Sequence, residues 1–255
     1  MAFEGRHEVS DQGMLAFDAA LKGLFGTGHQ ISYVVEPRIN GMAVELVYER
    51  ASLAVGYILA DGHAVKNVTP NLKTILAVPL HLIPPRDGRS VPDFLRVRGS
   101  VYMETEDFEA LNTERYLRHF PVYGSPRDAA EAFLKKPDPR VTAKIPLNIF
   151  CSEASELKGR SLETHMEVMT LIQEMGIRVN RPHLREFVNP GGVVAYCHEL
   201  ELNRSRFPYE IDGAVIRLNQ LAIQRQQRLL SAGTGGSGYL CYPFKVRDIR
   251  PGRKG

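Results

Sequence analysis

Cysteine is scarce: Cys151, Cys197 and Cys241 are the only three in 255 residues, far apart and with no CxxC pair. An odd, scattered set excludes a disulfide framework and a cysteine zinc site, and fits reduced thiols in a cytoplasmic setting. Long apolar runs are missing too. None approaches the ~20 residues a membrane-spanning helix needs, so no membrane partner is expected. The opening stretch MAFEGRHEVSDQG has no apolar h-region, which gives no reason to expect a secretory signal. The eight histidines show neither HxxxH nor HExxH spacing, so no metal site is expected from them. Neither GxSxG nor a P-loop occurs, and no internal repeat.

What is present is ordinary globular composition: 44% hydrophobic, 24% charged, 22 Gly and 16 Pro. The length allows one large domain or two small ones. Formal net charge is only +3, but it is unevenly spread. From Arg204 onward, Arg204, Arg206, Arg217, Arg225, Arg228, Lys245, Arg247, Arg250, Arg253 and Lys254 face only Glu210, Asp212 and Asp248. Such a basic end attracts a polyanion such as nucleic acid or a nucleotide; its plainer reading is a solvated face with a basic tail.

Residues 10–25 predict a helix. Ser10 can cap it, and Met14, Leu15, Phe17, Leu21 and Leu24 recur at helical spacing. Tyr33–Pro37 reads as extended, and Met42–Glu49 alternates with Met42, Val44, Leu46 and Tyr48 on one side. Ala51–Leu59 is placed to pair back as a hairpin, and Phe94–Glu104 reads as a further strand before a helix opened by Thr105, Glu106 and Asp107. Helices are expected at 126–136, 161–175 (capped by Ser161), 191–202 and 219–230, with strands at 211–218 and 239–246. Strands and helices mix without βαβ alternation, which predicts α+β with mainly antiparallel sheets flanked by helices. Gly233-Thr-Gly235-Gly236-Ser-Gly238 matches GxGxxG, but a helix precedes it and a strand follows, the reverse of a dinucleotide fingerprint, so it reads as a loop.

Five segments carry a family resemblance. Glu36-Pro37-Arg38-Ile39-Asn40-Gly41, leading into Met42-Ala43-Val44, resembles the E-P-K-I-D-G-x-A-V motif of bacterial NAD-dependent DNA ligases. Ala60-Asp61-Gly62 with Asn67-Val68-Thr69-Pro70-Asn71-Leu72 resembles G-D-G…D-V-T-x-N-L, and Val97-Arg98-Gly99-Ser100-Val101-Tyr102-Met103 resembles V-R-G-E-V-Y-M. Ser125-Pro126-Arg127-Asp128-Ala129-Ala130 with Asp138-Pro139-Arg140-Val141-Thr142-Ala143-Lys144 resembles N-P-R-N-A-A…D-P-R-I-T-A-K. Pro208-Tyr209-Glu210-Ile211-Asp212-Gly213-Ala214-Val215-Ile216-Arg217 resembles P-Y-E-I-D-G-V-V-I-K. The order is the family's, over roughly residues 9–245. The resemblance implies the nucleotidyltransferase (ATP-grasp-like ligase) fold of the adenylation domain over residues 1–245, with a helical lead at 9–25 and a basic tail at 246–255. It does not reach the family's nicotinamide-mononucleotide-binding, OB-fold, zinc-finger, helix-hairpin-helix or BRCT modules.

The departures bear on chemistry. In the family, the lysine of K-x-D-G attacks the α-phosphorus of NAD and becomes lysyl-AMP. Here that position is Arg38, whose guanidinium stays protonated at neutral pH and has no free lone pair. Arg38 keeps the charge and loses the reaction. The motif's aspartate is Asn40. The glutamate on the ribose and metal side is Ser100, and the arginine before G-D-G is Leu59. The ring that stacks on adenine is Ser152, one paired arginine is Lys135, and the later lysines fall on Arg217 and Pro243, with Lys245 two residues beyond. No catalytic residue is expected at Arg38, Asn40, Ser100 or Arg217. The resemblance implies nucleotide contacts at Glu36, Arg38, Gly41, Arg127, Arg204, Asp212 and Arg217, with NAD or AMP as the ligand of any retained pocket. The same glycines, acids and arginines also suit purely structural roles.

Three readings stay open. The first is an inactive ligase-like domain that binds nucleic acid, through its basic C-terminal region, or a protein partner. The second is an active nucleotidyltransferase with a nucleophile relocated to Lys245 or Lys66. The third is a reversible NAD or AMP sensor.

Overall fold

The computed structural model describes residues 7–26, 30–60, 62–230 and 239–245. The GxGxxG stretch, Asp61 and the tail 246–255 lie outside them. From the N-terminus, β1 (His7–Glu8) leads into α1 (Asp11–Phe25), capped by the Ser10 hydroxyl on the Gly13 amide. Then follow β2 (Tyr33–Ile39), β3 (Met42–Glu49), β4 (Ser52–Ala60), β5 (His63–Asn67), α2 (Thr69–Leu72), β6 (Phe94–Met103) and α3 (Thr105–Leu117). Next come α4 (Pro126–Leu134), α5 (Pro139–Thr142), β7 (Leu147–Leu157), α6 (His165–Glu174), β8 (Arg185–Phe187), α7 (Pro190–Asn203), β9 (Ile211–Leu218), α8 (Leu221–Leu230) and β10 (Leu240–Pro243).

These strands make two five-stranded sheets, ordered β1-β10-β9-β2-β8 and β5-β4-β3-β6-β7. All pairings are antiparallel except β1 with β10. The expected α+β class with mainly antiparallel sheets is what the chain adopts. Among the described residues no helix is long and apolar enough to cross a membrane.

Burial alternates as a half-covered strand requires. Tyr33 and Val35 of β2, Ala214 and Ile216 of β9, and Leu240 and Tyr242 of β10 pack into one core with Met14 and Leu21 of α1 and Val193, Tyr196 and Leu200 of α7. Met42, Val44, Leu46 and Tyr48 of β3 fill the other core, with Val97 and Val101 of β6, Ala129 and Phe133 of α4, and Met169 and Ile172 of α6.

Two of the resembling segments prove to be braces. Asn71, closing the second segment, donates to the Lys136 carbonyl and to the Thr142 hydroxyl, which itself donates to the Phe133 carbonyl. Ser125 and Asp138 cap α4 and α5. Thus Asn71 of α2 is tied to the chain at the ends of α4 and α5, while Ser125 and Asp138 satisfy amides at their starts. Some boundaries differ from expectation. The helix placed at 161–175 starts at His165, because Thr164 and Glu167 form a reciprocal capping box that Ser161 has no partner to match. Thr105 is the first residue of α3 and makes no cap; Glu104 holds that position.

Candidate functional site

The Glu36–Gly41 segment is where the chain leaves one sheet for the other. β2 ends at Ile39, Asn40 and Gly41 turn, and β3 begins at Met42. A Cβ on Gly41 would lie 2.5 Å from the Val101 carbonyl oxygen and 3.2 Å from Ser100 Cβ. Only glycine lets the crossover press this closely on β6.

Strand alternation sorts the side chains around this crossover. Since Tyr33 and Val35 belong to the α1/α7 core, Val34, Glu36 and Arg38 point to the other face of β2. By the same parity Gly213, Val215 and Arg217 of β9, and Cys241 and Pro243 of β10, share that face through the pairs Glu36↔Val215, Arg38↔Gly213, Val215↔Cys241 and Gly213↔Pro243. Asp212 should point away. It does not, because the register skips it: Arg38 faces Gly213 while Ile39 faces Ile211. This β-bulge re-aims the Asp212 carboxylate onto Arg38. Arg38 Nε donates to Asp212 Oδ1 at 2.5 Å, and a terminal nitrogen donates to the Asp212 carbonyl at 3.2 Å. Burial alone would lower the Arg38 pKa, but the bonds to Asp212 outweigh it and the net shift is upward. The guanidinium is therefore a fixed cation.

A second bulge lies on β7. There Gly99 pairs with Cys151 and Arg98 with Glu153, so Ser152 is skipped. Arg217, 7% exposed, reaches it: Nε lies 3.5 Å from the Ser152 carbonyl oxygen and a terminal nitrogen 3.4 Å from its hydroxyl. Both bonds sit at the long limit, and among the described residues the guanidinium makes no shorter one. Its Cζ also stands 4.7 Å from the Tyr239 ring centroid.

Glu36 is 5% exposed, and its Oε1 is buried with no hydrogen-bond partner. Burial pushes its pKa up to about 7, Arg217 pulling against that rise and Glu153 adding to it. A buried carboxyl oxygen without a donor is costly unless something else supplies one. A cavity of about 180 Å³ opens between β7, α6 and α8, lined among others by Glu153, Leu162, His165, Arg217, Leu221 and Gln224; Glu36 is not among its lining residues.

The remaining sequence-derived residues disperse. Asn40 Nδ2 donates to Glu210 Oε2 at 3.0 Å. Arg127 sits in the first turn of α4. Arg204, just past α7, donates to the Lys245 carbonyl at 2.9 Å. α7 packs in the core on the opposite face of β2 and β9 from Glu36, so Arg204 stands away from the cleft. The Lys245 amide donates to Glu201, and its charge acts on Asp11, again on the α1/α7 side. Lys66, on the β5 edge, donates to the Lys135 carbonyl. Glu36, Arg38, Asp212 and Arg217 thus come together; Arg204 does not join them.

Over residues 7–231 the chain matches the model of the NAD-dependent DNA ligase adenylation domain. It belongs to that family. It is 38% identical over 222 residues to a DNA ligase of Geotalea uraniireducens, covering 85% of this chain and 32% of that protein. A DNA ligase of Salinibacter ruber is 40% identical over 189 residues, or 74% of this chain and 27% of the relative. One of Roseiflexus castenholzii is 36% identical over 246 residues, or 93% and 34%. The chain spans about a third of the length of these relatives. The family uses NAD as its AMP donor and acts on DNA.

Among the described residues the divalent cation that the family's chemistry implies finds no matching donor set. At Asn40 and Ser100, where the motif resemblance implies carboxylates, the side chains are neutral. Alternation puts Glu45 on the same face of the β3–β6 pair as Ser100, but its two oxygens are spent on Arg96 and Arg98 at 2.8 Å each. Among the described residues no group of three or more His, Cys, Asp or Glu is arranged to hold a metal. Sequence reading missed β7, because the polar second half of Leu147–Leu157 hides its alternation. It therefore also missed Glu153 and the Ser152 bulge. The Glu45–Arg96–Arg98 grouping was legible only once the strands were in register.

Proposed function

We propose that this chain is a ligase-family adenylation domain that holds an adenine nucleotide, AMP or the AMP part of NAD, reversibly and does not transfer it. The single observation that carries the reading is the buried, unpartnered Glu36 Oε1 beside the Arg217 guanidinium, whose bonds to Ser152 are long. With a pKa near 7, Glu36 exists as carboxylate and carboxylic acid in comparable amounts at neutrality. The acid offers an acceptor and a donor side by side, the complement of an aminopurine edge that presents N–H next to a ring nitrogen. Arg217 adds donors for a second ring nitrogen or a phosphate oxygen.

The chemistry of position 38 supports binding without transfer. A nucleophile needs a lone pair, and Arg38 is a protonated guanidinium whose Nε and one terminal nitrogen are held by Asp212. Placement argues against a relocated nucleophile. The Lys245 charge acts on Asp11 at the start of α1, and Lys66 lies on the edge strand β5 of the other sheet. Contact with nucleic acid through Arg247, Arg250, Arg253 and Lys254 belongs to the same proposal; those residues lie outside the described ones. So does a cytoplasmic setting, which the three free, buried cysteines suit.

Thermal unfolding across AMP, ADP, ATP and NAD tests the proposal, since a ligand that binds only the folded chain raises its midpoint. AMP should raise it, with the effect lost in Glu36→Leu, whose side chain can neither accept nor donate. A flat response at millimolar nucleotide contradicts the reading.

A further inference from the structure

Away from the cleft, the stretch from Arg178 to Arg185 carries Arg178, Arg181, His183 and Arg185 and no acid. A line of rings connects these cations in space. Arg178 Cζ stands 5.1 Å from the Phe150 ring centroid, Phe150 5.7 Å from Tyr209, Tyr209 5.6 Å from Phe207, and Phe207 4.6 Å from His183. The His183 carbonyl accepts from the Tyr196 hydroxyl, and Arg185 Cζ lies 4.4 Å from the Tyr196 ring centroid. Arg181 opens the turn that ends at His183, and Arg206 immediately precedes Phe207. Arg178, Arg181, Arg185 and Arg206 are all exposed. Among the described residues the one ion pair that any of the four makes is Arg185 with Glu199, at 3.1 Å.

This row lies on the other side of the sheet from Glu36. Arg185, on the edge strand β8, pairs with Val35, which belongs to the α1/α7 core, while Glu36 is the next residue along β2 and points to the opposite face. Phe207 and Tyr209 pack in that same core.

We propose that this arginine row is a docking surface for the phosphate backbone of nucleic acid, separate from the cleft at Glu36 and from the basic residues after Lys245. It goes beyond the nucleotide reading and stands without it. Guanidinium forks match phosphate oxygens two donors at a time. Arg178 is held by the Phe150 ring and by the Asn148 side chain, and Arg185 by the Tyr196 ring, so less side-chain freedom is lost on contact. The patch is cationic where a surface for a protein partner centres on apolar side chains, and protein–DNA interfaces carry far more positive charge than protein–protein ones. Contacts of this kind fix position and read no base sequence.

Fluorescence anisotropy of the whole chain with a labelled DNA duplex of arbitrary sequence, from about 50 to 200 mM salt, tests this. Each cation that meets a phosphate contributes about 0.9 to the slope of log affinity against log salt. Arg181→Ala and Arg206→Ala should each weaken binding several-fold and reduce that slope by about one, and the double variant should reduce it by about two. Thermal midpoints equal to the parent's confirm that these variants are folded. Arg118→Ala removes the same charge at the end of α3 and should change neither affinity nor slope. A double variant with the parent's slope, an equal loss in Arg118→Ala, or a parent chain that does not bind the duplex overturns the proposal. Binding of polyglutamate as tight as that of the duplex assigns the row to an acidic protein and overturns it as well.

Discussion

Arg38 and Asp212 are joined across a β-bulge, and the bulge makes the pair. With β2 and β9 in uninterrupted register, the Asp212 side chain would enter the α1/α7 core; skipped by the pairing, it meets Arg38 Nε at 2.5 Å. The Arg38 cation is thereby held to the scaffold. A double-mutant cycle of Arg38→Gln and Asp212→Asn should show coupling of about 1 kcal/mol in denaturant unfolding, as suits a pair half open to solvent. Additive effects would mean that the two side chains do not depend on each other.

Restoring the amine should not restore the chemistry. In Arg38→Lys, Asn40 still binds Glu210 and carries no charge, Ser100 supplies no carboxylate, and Pro243 on β10 stands where the motif resemblance would put a lysine. Intact mass of that variant, incubated with NAD or ATP and magnesium, should stay that of the unmodified chain. An adenylyl adduct would show that one substitution alone silences the site.

Glu36 makes stability fall as pH rises. Its folded pKa of about 7 lies above the ordinary 4.5. Between those values the folded chain binds a proton that the unfolded chain has released. Stabilisation is full below about 4.5 and is lost as pH passes through 7. The gap corresponds to about 3 kcal/mol. Glu36→Gln cannot ionise, so relative to the parent it should gain about that much between pH 4.5 and 8 in urea unfolding. Parallel pH profiles for the two proteins would refute a buried, uncompensated carboxyl.

Two glycines should respond in opposite directions. A Cβ on Gly213 would stand 2.6 Å from the Tyr242 carbonyl oxygen and 3.3 Å from Arg38 Cζ, so Gly213→Ala should destabilise by about 2 kcal/mol or more. Gly23, in α1, has nothing within 4 Å of its added Cβ, and alanine there should stabilise by about 0.5–1 kcal/mol. Thermal midpoints of the two variants check both signs.

Much of this fold was legible because its strands are half covered. The run Met42, Val44, Leu46, Tyr48 announces one buried face, and that face is the one the structure buries. Ser10 and the spaced apolar residues after it likewise define α1. The site was harder to read. Alternation misplaces Asp212 and Ser152, because each sits in a bulge and a bulge is a property of two paired strands. Motif order groups Arg204 with the other site residues; the fold shows its guanidinium donating to the Lys245 carbonyl.

Ligand binding should not need a divalent cation. Asn40 and Ser100 are neutral, and Glu45 is neutralised by Arg96 and Arg98. AMP affinity should therefore agree within about twofold in EDTA and in millimolar magnesium, a change worth less than about 0.5 kcal/mol. A tenfold gain with magnesium would point to a cation site that these residues do not explain.

The most direct measurement is intact mass of the purified chain after incubation with NAD or ATP and magnesium, followed by denaturation to strip any non-covalent ligand. A fixed guanidinium at position 38 predicts a single species of unmodified mass, alongside AMP binding that is seen only under native conditions. A stable adenylyl adduct, on Lys245, Lys66 or any other side chain, would contradict it.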